Sequence, residues 1–110
     1  YSGRWELTET FKALANKVRS GILNPDDITQ EVISNNLNTA GMPEPELLIR
    51  TSGECRISNF LIWQSAYTEL YFTSKLWPDF RKEDLYKAII DYQQRERRFG
   101  KVSEQIKSCR

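Results

Sequence analysis

Only two short runs in the 110 residues read as β-strands, Leu47-Leu48-Ile49 and Leu70-Tyr71-Phe72-Thr73, and that scarcity limits the folds open to the chain. The first run is continuous and apolar, as in a parallel strand covered on both faces; the second is aromatic and β-branched. Elsewhere the apolar residues fall at helical spacing. Leu7, Phe11, Leu14, Ala15 and Val18 form one stripe predicted to be buried, closed by Gly21. Asn24-Pro25-Asp26-Asp27 supplies a cap, a first-turn proline and acidic residues for a second helix over 25–36, with Ile28, Val32 and Leu37 on one side. A short helix over 57–64 and a turn at Trp77-Pro78-Asp79-Phe80 follow. A long helix then starts at Lys82, turns Leu85, Ile89 and Tyr92 inward and stops at Gly100. Alternating helices and short apolar strands predict an α/β fold with a mostly parallel, helix-covered sheet. Two strands among four helices cannot make a sheet covered on both faces. The expectation is therefore the C-terminal part of a larger domain over 1–100, with its other strands upstream, and a polar, flexible tail over 101–110.

Charge narrows the partners. Sixteen basic and fifteen acidic side chains leave a net charge of +1, which argues against a general nucleic-acid or anionic-membrane binder, so any anion site must be local. There is no histidine, and Cys55 and Cys109 form no CxxC pair, which excludes the common Cys/His zinc patterns. The two cysteines read as reduced thiols. No apolar stretch approaches the ~20 residues of a membrane span. The first residue is Tyr1 rather than Met, so the compartment is left open.

A local anion site is indicated by the segment Arg50-Thr51-Ser52-Gly53-Glu54-Cys55-Arg56, which follows the first strand. In open α/β sheets ligands lie in the crevice beyond the C-terminal ends of the strands, and helix N-termini favour anions. Arg50, Arg56, Thr51, Ser52 and Ser58 would gather there. Guanidinium forks pair with phosphate oxygens and hydroxyls donate to the rest, so the group reads as a diphosphate cradle. The same residues also fit a plainer account, in which the arginines are surface ion-pair partners and the hydroxyls are caps. Glu54 and Glu69 are the carboxylates able to serve magnesium, which needs few protein ligands beside a substrate phosphate; each could equally be a solvated or capping residue. Trp63, Tyr67, Tyr71, Phe72 and Trp77 read as core packing, with an apolar-chain wall or a subunit interface as the alternative. Arg95, Arg97 and Arg98, near the end of the last helix, complement its dipole.

Across residues 1–100 the sequence resembles one family. Ile49-Arg50-Thr51-Ser52-Gly53-Glu54, Arg56-Ile57-Ser58-Asn59-Phe60-Leu61, Trp63-Gln64, Tyr67, Glu69 and Trp77-Pro78-Asp79-Phe80 are similar to the C-terminal motif of the cis-prenyltransferases, the undecaprenyl and dehydrodolichyl diphosphate synthases. Tyr1-Ser2-Gly3-Arg4 resembles an internal Tyr-x-Gly-Arg element, and Arg95-Glu96-Arg97-Arg98-Phe99-Gly100 the closing Arg-x-Gly segment. The resemblance implies a homodimeric or heteromeric enzyme that adds isopentenyl diphosphate to an allylic diphosphate with cis geometry, using Mg2+. It implies that Arg50, Arg56 and Ser58 bind isopentenyl diphosphate, that Glu54 supports the loop, and that Glu69 helps hold the metal. Arg98 and Gly100 would belong to an element near the subunit interface. It further implies a cytoplasmic or plastid protein that meets membranes through its product rather than by a transmembrane segment.

Two departures qualify the likeness. Cys55 stands where many bacterial relatives have a histidine, and a thiol is a poor magnesium ligand. The family's Asp-Gly-Asn-x-Arg motif, whose aspartate anchors magnesium and the allylic diphosphate, is absent from these 110 residues. The expectation is that the segment has no turnover alone. The rival reading is a non-catalytic partner subunit of a heteromeric cis-prenyltransferase; the joint presence of Arg50, Glu54, Arg56 and Ser58 speaks against it.

Overall fold

The computed structural model describes residues 1–95 and 97–100. The tail expected over 101–110, with Cys109, lies outside the described residues. Two compact units divide the described residues, one made of residues 1–44 and 58–64, the other of 45–57 and the described residues from 65 onward. The described elements are those of an α/β protein with a parallel pair of strands, as the apolar patterning predicts. No helix among the described residues is long and apolar enough to cross a membrane.

In the first unit, helix α1 spans Gly3–Arg19. The Ser2 hydroxyl caps it by accepting from Trp5 N at 3.2 Å, Glu6 lies in the first turn, and Lys17 and Arg19 lie in the last, each complementing the dipole. The helix ends where Ile22 N donates to Lys17 O at 3.0 Å and Gly21 N to Val18 O at 3.1 Å. That paired closure needs a left-handed residue, which Gly21 supplies at φ 80°. The expected apolar stripe is corrected here. Gly3, Glu6, Thr10 and Leu14 are buried, whereas Phe11 is 50% exposed and Ala15 also faces solvent. What α1 packs against in this unit is largely polar: Thr10 Oγ1 donates to Asn36 O and Asn38 N to Glu6 Oε2. The second helix is also shorter than its sequence suggests. Pro25–Asp27 makes one 3-10 turn, and α2 runs only Gln30–Asn35, capped by Thr29 Oγ1 accepting from Val32 N at 3.2 Å.

Gly3 is where α1 meets the segment 58–64. Gly3 N donates to Asn59 O at 2.8 Å, and a Cβ on Gly3 would stand 3.0 Å from that oxygen and 3.0 Å from Ile62 Cγ1. Alanine is the better helix former by up to ~1 kcal/mol. Gly3→Ala is nonetheless expected to cost about 1–2 kcal/mol, because one of the crowding atoms is backbone and cannot rotate away. A lowered urea midpoint at unchanged m-value is the expected reading; a neutral or raised midpoint would show that the 58–64 segment yields.

In the second unit, β1 (Leu47–Arg50) pairs in parallel with β2 (Glu69–Phe72), with Leu47 opposite Glu69 and Arg50 opposite Phe72. Every residue of both strands is half-buried. Trp77–Asp79 forms a 3-10 turn, with Trp77 stacked on Phe80 at 5.9 Å, and α3 spans Lys82–Gln94. Asp84 starts that helix by accepting from Arg81 N at 2.9 Å. This hydrogen bond, with Lys75 close by, holds the Asp84 carboxyl below its ordinary range. Asp84 and Ala88 are the buried positions of α3. Leu85 and Ile89, expected inward, are 39% and 37% exposed, and the helix ends at Gln94 rather than at Gly100. The aromatic residues read as core divide likewise: Trp63, Tyr71 and Phe72 are half-buried, while Tyr67 and Trp77 are exposed.

Candidate functional site

Arg50 closes β1, so its guanidinium sits at the C-terminal end of two parallel strands. The chain turns sharply beyond it. Thr73 N donates to Arg50 O at 2.9 Å, Gly53 N to Thr73 O at 2.9 Å, and Ser52 N to Lys75 O at 2.7 Å, which ties the loop to the strand beside it. Ser52 and Gly53 are both left-handed, at φ 67° and 71°. Nothing crowds a Cβ built on Gly53, so glycine there serves the turn rather than a close approach. Arg50 Nη1 then reaches across the turn to donate to Arg56 O at 3.2 Å, which brings the two arginines to one loop. Arg56 is exposed and pairs with Glu54 Oε2 through Nη1. A pair this exposed contributes only about 0–1 kcal/mol, so it holds Arg56 loosely.

The other sequence-derived candidates are placed differently. Ser58 is exposed and belongs to the first unit. Glu69 begins β2, three positions back along the strand from the residue paired with Arg50, which puts it roughly 10 Å from the arginine end. Its carboxylate faces Arg95 Nη1 at 3.4 Å. That contact is through Oε2, so Oε1 is the oxygen Glu69 could offer a magnesium ion with the Arg95 pair in place. Among the described residues no group of three or more acidic or thiol side chains could hold a metal. Cys55 is an exposed free thiol whose Sγ lies 3.8 Å from Gly53 O. Arg98 and Gly100 are exposed; Gly100 is left-handed at φ 79°, directly after Phe99 at φ 50°.

One expected element is absent. The segment 57–64 is not a helix, because Ser58, Asn59 and Leu61 are left-handed at φ 49°, 67° and 47°, and a right-handed helix cannot pass through them. The arrangement also promotes residues that the sequence presents as mere charge. With α3 ending at Gln94, Arg95 turns back to donate to Leu70 O at 2.6 Å and pairs with Asp91 at 2.7 Å. Arg97 donates to Tyr67 O at 2.8 Å and lies 4.4 Å from the Phe99 ring centroid. Both act as anchors of the closing segment to β2 and the turn before it. Asn59, given no role by the sequence, makes hydrogen bonds through both side-chain ends. A dense run of basic residues just past a helix is the sequence signal for the first pair; for Asn59 the signal is its place in the family motif.

The prenyltransferase family model described as undecaprenyl diphosphate synthase matches residues 1–100. The chain belongs to the cis-prenyltransferase family. Among curated proteins it is 54% identical over 108 residues to an isoprenyl transferase of Chlorobaculum tepidum, covering 98% of this chain and 41% of that protein. It is 59% identical to the isoprenyl transferase of Porphyromonas gingivalis, covering 96% and 42%. The (2E,6E)-farnesyl-diphosphate-specific ditrans,polycis-undecaprenyl-diphosphate synthase of Vibrio parahaemolyticus is 51% identical, covering 98% and 43%. Among solved structures, lavandulyl diphosphate synthase from Lavandula x intermedia in complex with dimethylallyl diphosphate superposes with a TM-score of 0.87 at 47% identity, covering 92% of this chain and 44% of that one. The chain thus spans less than half the length of these four relatives, each named for prenyl transfer or prenyl diphosphate synthesis.

A cleft of about 520 Å³ opens elsewhere in the second unit, lined by Ile49, Trp77, Phe80, Arg81, Lys82 and Leu85. None of Arg50, Arg56 and Ser58 lines it, and its mostly apolar wall does not suit a diphosphate.

Proposed function

We propose that the whole cis-prenyltransferase containing this chain condenses isopentenyl diphosphate with an allylic diphosphate to make a polyprenyl diphosphate, and that this chain supplies the isopentenyl diphosphate half-site. The observation that carries the reading is Arg50 bonded across a left-handed turn to the backbone of Arg56, at the C-terminal end of a parallel strand. Two guanidinium groups on one short loop suit two phosphoryl groups. Ser58 enters the proposal through its place in the family motif, as a hydroxyl donor to isopentenyl diphosphate.

In this reaction the allylic C–O bond breaks and its electron pair leaves with the diphosphate. The terminal alkene carbon of isopentenyl diphosphate forms the new bond to the allylic carbon, and a proton is lost from the adjacent methylene. Arg50, Arg56 and Ser58 do none of the bond making; they hold the acceptor so that its alkene meets the cation as it forms. Magnesium would supply charge to the departing diphosphate, and Glu69 is the carboxylate this chain could offer it. The segment taken alone is inactive in this proposal, and the complete enzyme is a homodimer or heteromer.

The test is incubation of the complete protein with labelled isopentenyl diphosphate, an allylic diphosphate and magnesium, followed by chromatography and stereochemical assignment of the product. Cis-elongated polyprenyl diphosphate is the expected product. No incorporation by a folded protein alone, but incorporation once a homologous subunit is added that persists when this chain carries Arg50→Ala, would establish the non-catalytic partner-subunit reading instead.

A further inference from the structure

Ser58 and Asn59 are consecutive non-glycine residues in the left-handed region, at φ 49° and 67°. Each such residue costs about 1–3 kcal/mol and persists only where its surroundings hold it. Asparagine tolerates the conformation better than serine, because its short amide can bond locally. The bonds that hold the pair all come through Asn59. Its Oδ1 accepts from Arg4 N at 2.9 Å, its Nδ2 donates to Ser2 Oγ at 2.7 Å, and its carbonyl accepts from Gly3 N at 2.8 Å. The next residue is held as well: the Phe60 ring meets Tyr1 edge to face at 5.4 Å. The first turn of α1 therefore grips the chain immediately after Ser58, at a glycine where added bulk would collide with the Asn59 carbonyl. Ser58 itself is exposed.

We infer that Asn59 is a positioning residue: by locking residues 58 and 59 to the first turn of α1, it fixes where the Ser58 hydroxyl stands when isopentenyl diphosphate binds. The inference rests on the proposed role of Ser58. It adds a function for Ser2 and for the backbone of Gly3 and Arg4, which hold Asn59. The strain at Ser58 has a use in this arrangement, since a relaxed backbone would carry the hydroxyl elsewhere. The polar amide of Asn59 fits that task better than an apolar residue, because both of its ends are engaged.

The experiment is a double-mutant cycle in the complete enzyme, with steady-state kinetics for each substrate in turn. Ser58→Ala is expected to raise KM for isopentenyl diphosphate roughly 10-fold, the loss of one hydrogen bond to a charged group. Asn59→Ala is expected to do nearly the same, with the allylic KM unchanged. The combined variant is expected to be no worse than Ser58→Ala alone. Asn59→Asp keeps the acceptor for Arg4 N and loses the donor to Ser2; it is expected to show a smaller effect in the same direction, and it replaces Asn59→Ala in the cycle should that variant fail to fold. A merely structural role would lower stability without this substrate selectivity. Additive losses would overturn the inference, as would a silent substitution at position 59 beside a damaging Ser58→Ala; both leave the proposed half-site intact. A silent Ser58→Ala beside a damaging Arg50→Ala would overturn the inference and remove Ser58 from the site. If Ser58→Ala and Arg50→Ala are both silent, the half-site itself falls, and the inference with it.

Discussion

Arg50→Ala in the complete enzyme is expected to lower kcat/KM for isopentenyl diphosphate by about 100-fold or more, while the KM for the allylic substrate moves by less than about 3-fold. Two losses combine. In the proposed site the diphosphate loses a guanidinium fork and the charge-assisted hydrogen bonds it would make. The loop loses the bond from Arg50 Nη1 to Arg56 O, so the second arginine is less well placed. Arg50→Lys keeps the charge and gives up the planar fork; it is expected to recover only part of the loss. Arg56→Ala is expected to cost less than Arg50→Ala, because Arg56 is exposed and already shared with Glu54. Steady-state kinetics with one substrate saturating and the other varied separates these effects. An unchanged KM and rate for isopentenyl diphosphate in Arg50→Ala would refute the assignment.

That arginine was legible in the sequence because its signal is local. A continuous apolar run makes β1, and a Gly-containing loop must follow where the run ends, so Arg50 falls at the strand's C-terminal end whatever the rest of the fold does. The segment 57–64 was not legible for the opposite reason. Its composition suits a helix, but Gly3, Arg4 and Ser2, more than fifty residues earlier, bond to Asn59 and hold the backbone left-handed. No window of sequence contains that information. Glu69 illustrates a third case. The apolar run predicts a strand over 70–73, but β2 begins one residue earlier, at Glu69, and the partner Arg95 becomes one only because α3 stops at Gln94 and the chain turns back.

The apolar stripes failed in a way that is physically informative. In α1 and α3 the pattern picks Leu14 correctly but also picks Phe11, Leu85 and Ile89 as inward, whereas the other buried positions are Gly3, Glu6, Thr10, Asp84 and Ala88. Periodicity identifies a face suited to being covered; it does not say what covers it. In the first unit the packing is governed by close backbone approach at Gly3 and by hydrogen bonds to Glu6, and both favour small or polar residues over large apolar ones.

Removing Glu6 tests how much that polar interior contributes. The carboxylate is 4% exposed and collects the Tyr1 hydroxyl at 2.5 Å, Asn38 N at 2.9 Å and Gln64 Nε2 at 3.1 Å. Burial alone would raise its pKa, but the hydrogen bonds from Tyr1, Gln64 and Asn38 outweigh burial and hold it below the ordinary 4.5. Glu6→Ala strips the acceptor from the buried Gln64 amide and from the Tyr1 hydroxyl, and is expected to lower unfolding free energy by about 2–4 kcal/mol, measured by urea titration. The pH profile gives a second reading. A depressed carboxylate contributes stability that is present above its unfolded pKa and lost as pH falls through the folded value. Tyr1 behaves oppositely: partial burial, then the hydrogen bond and charge of Glu6, raise its pKa from 10.0 to about 12. Its contribution is therefore complete below pH 10 and lost as pH rises towards 12. The native chain is expected to lose stability on both the acid and the alkaline flank, and Glu6→Ala, already less stable, to show a flatter profile on both. A variant with the native slope on the alkaline side would mean that Tyr1 is held by burial alone, and that the Tyr1–Glu6 bond contributes little.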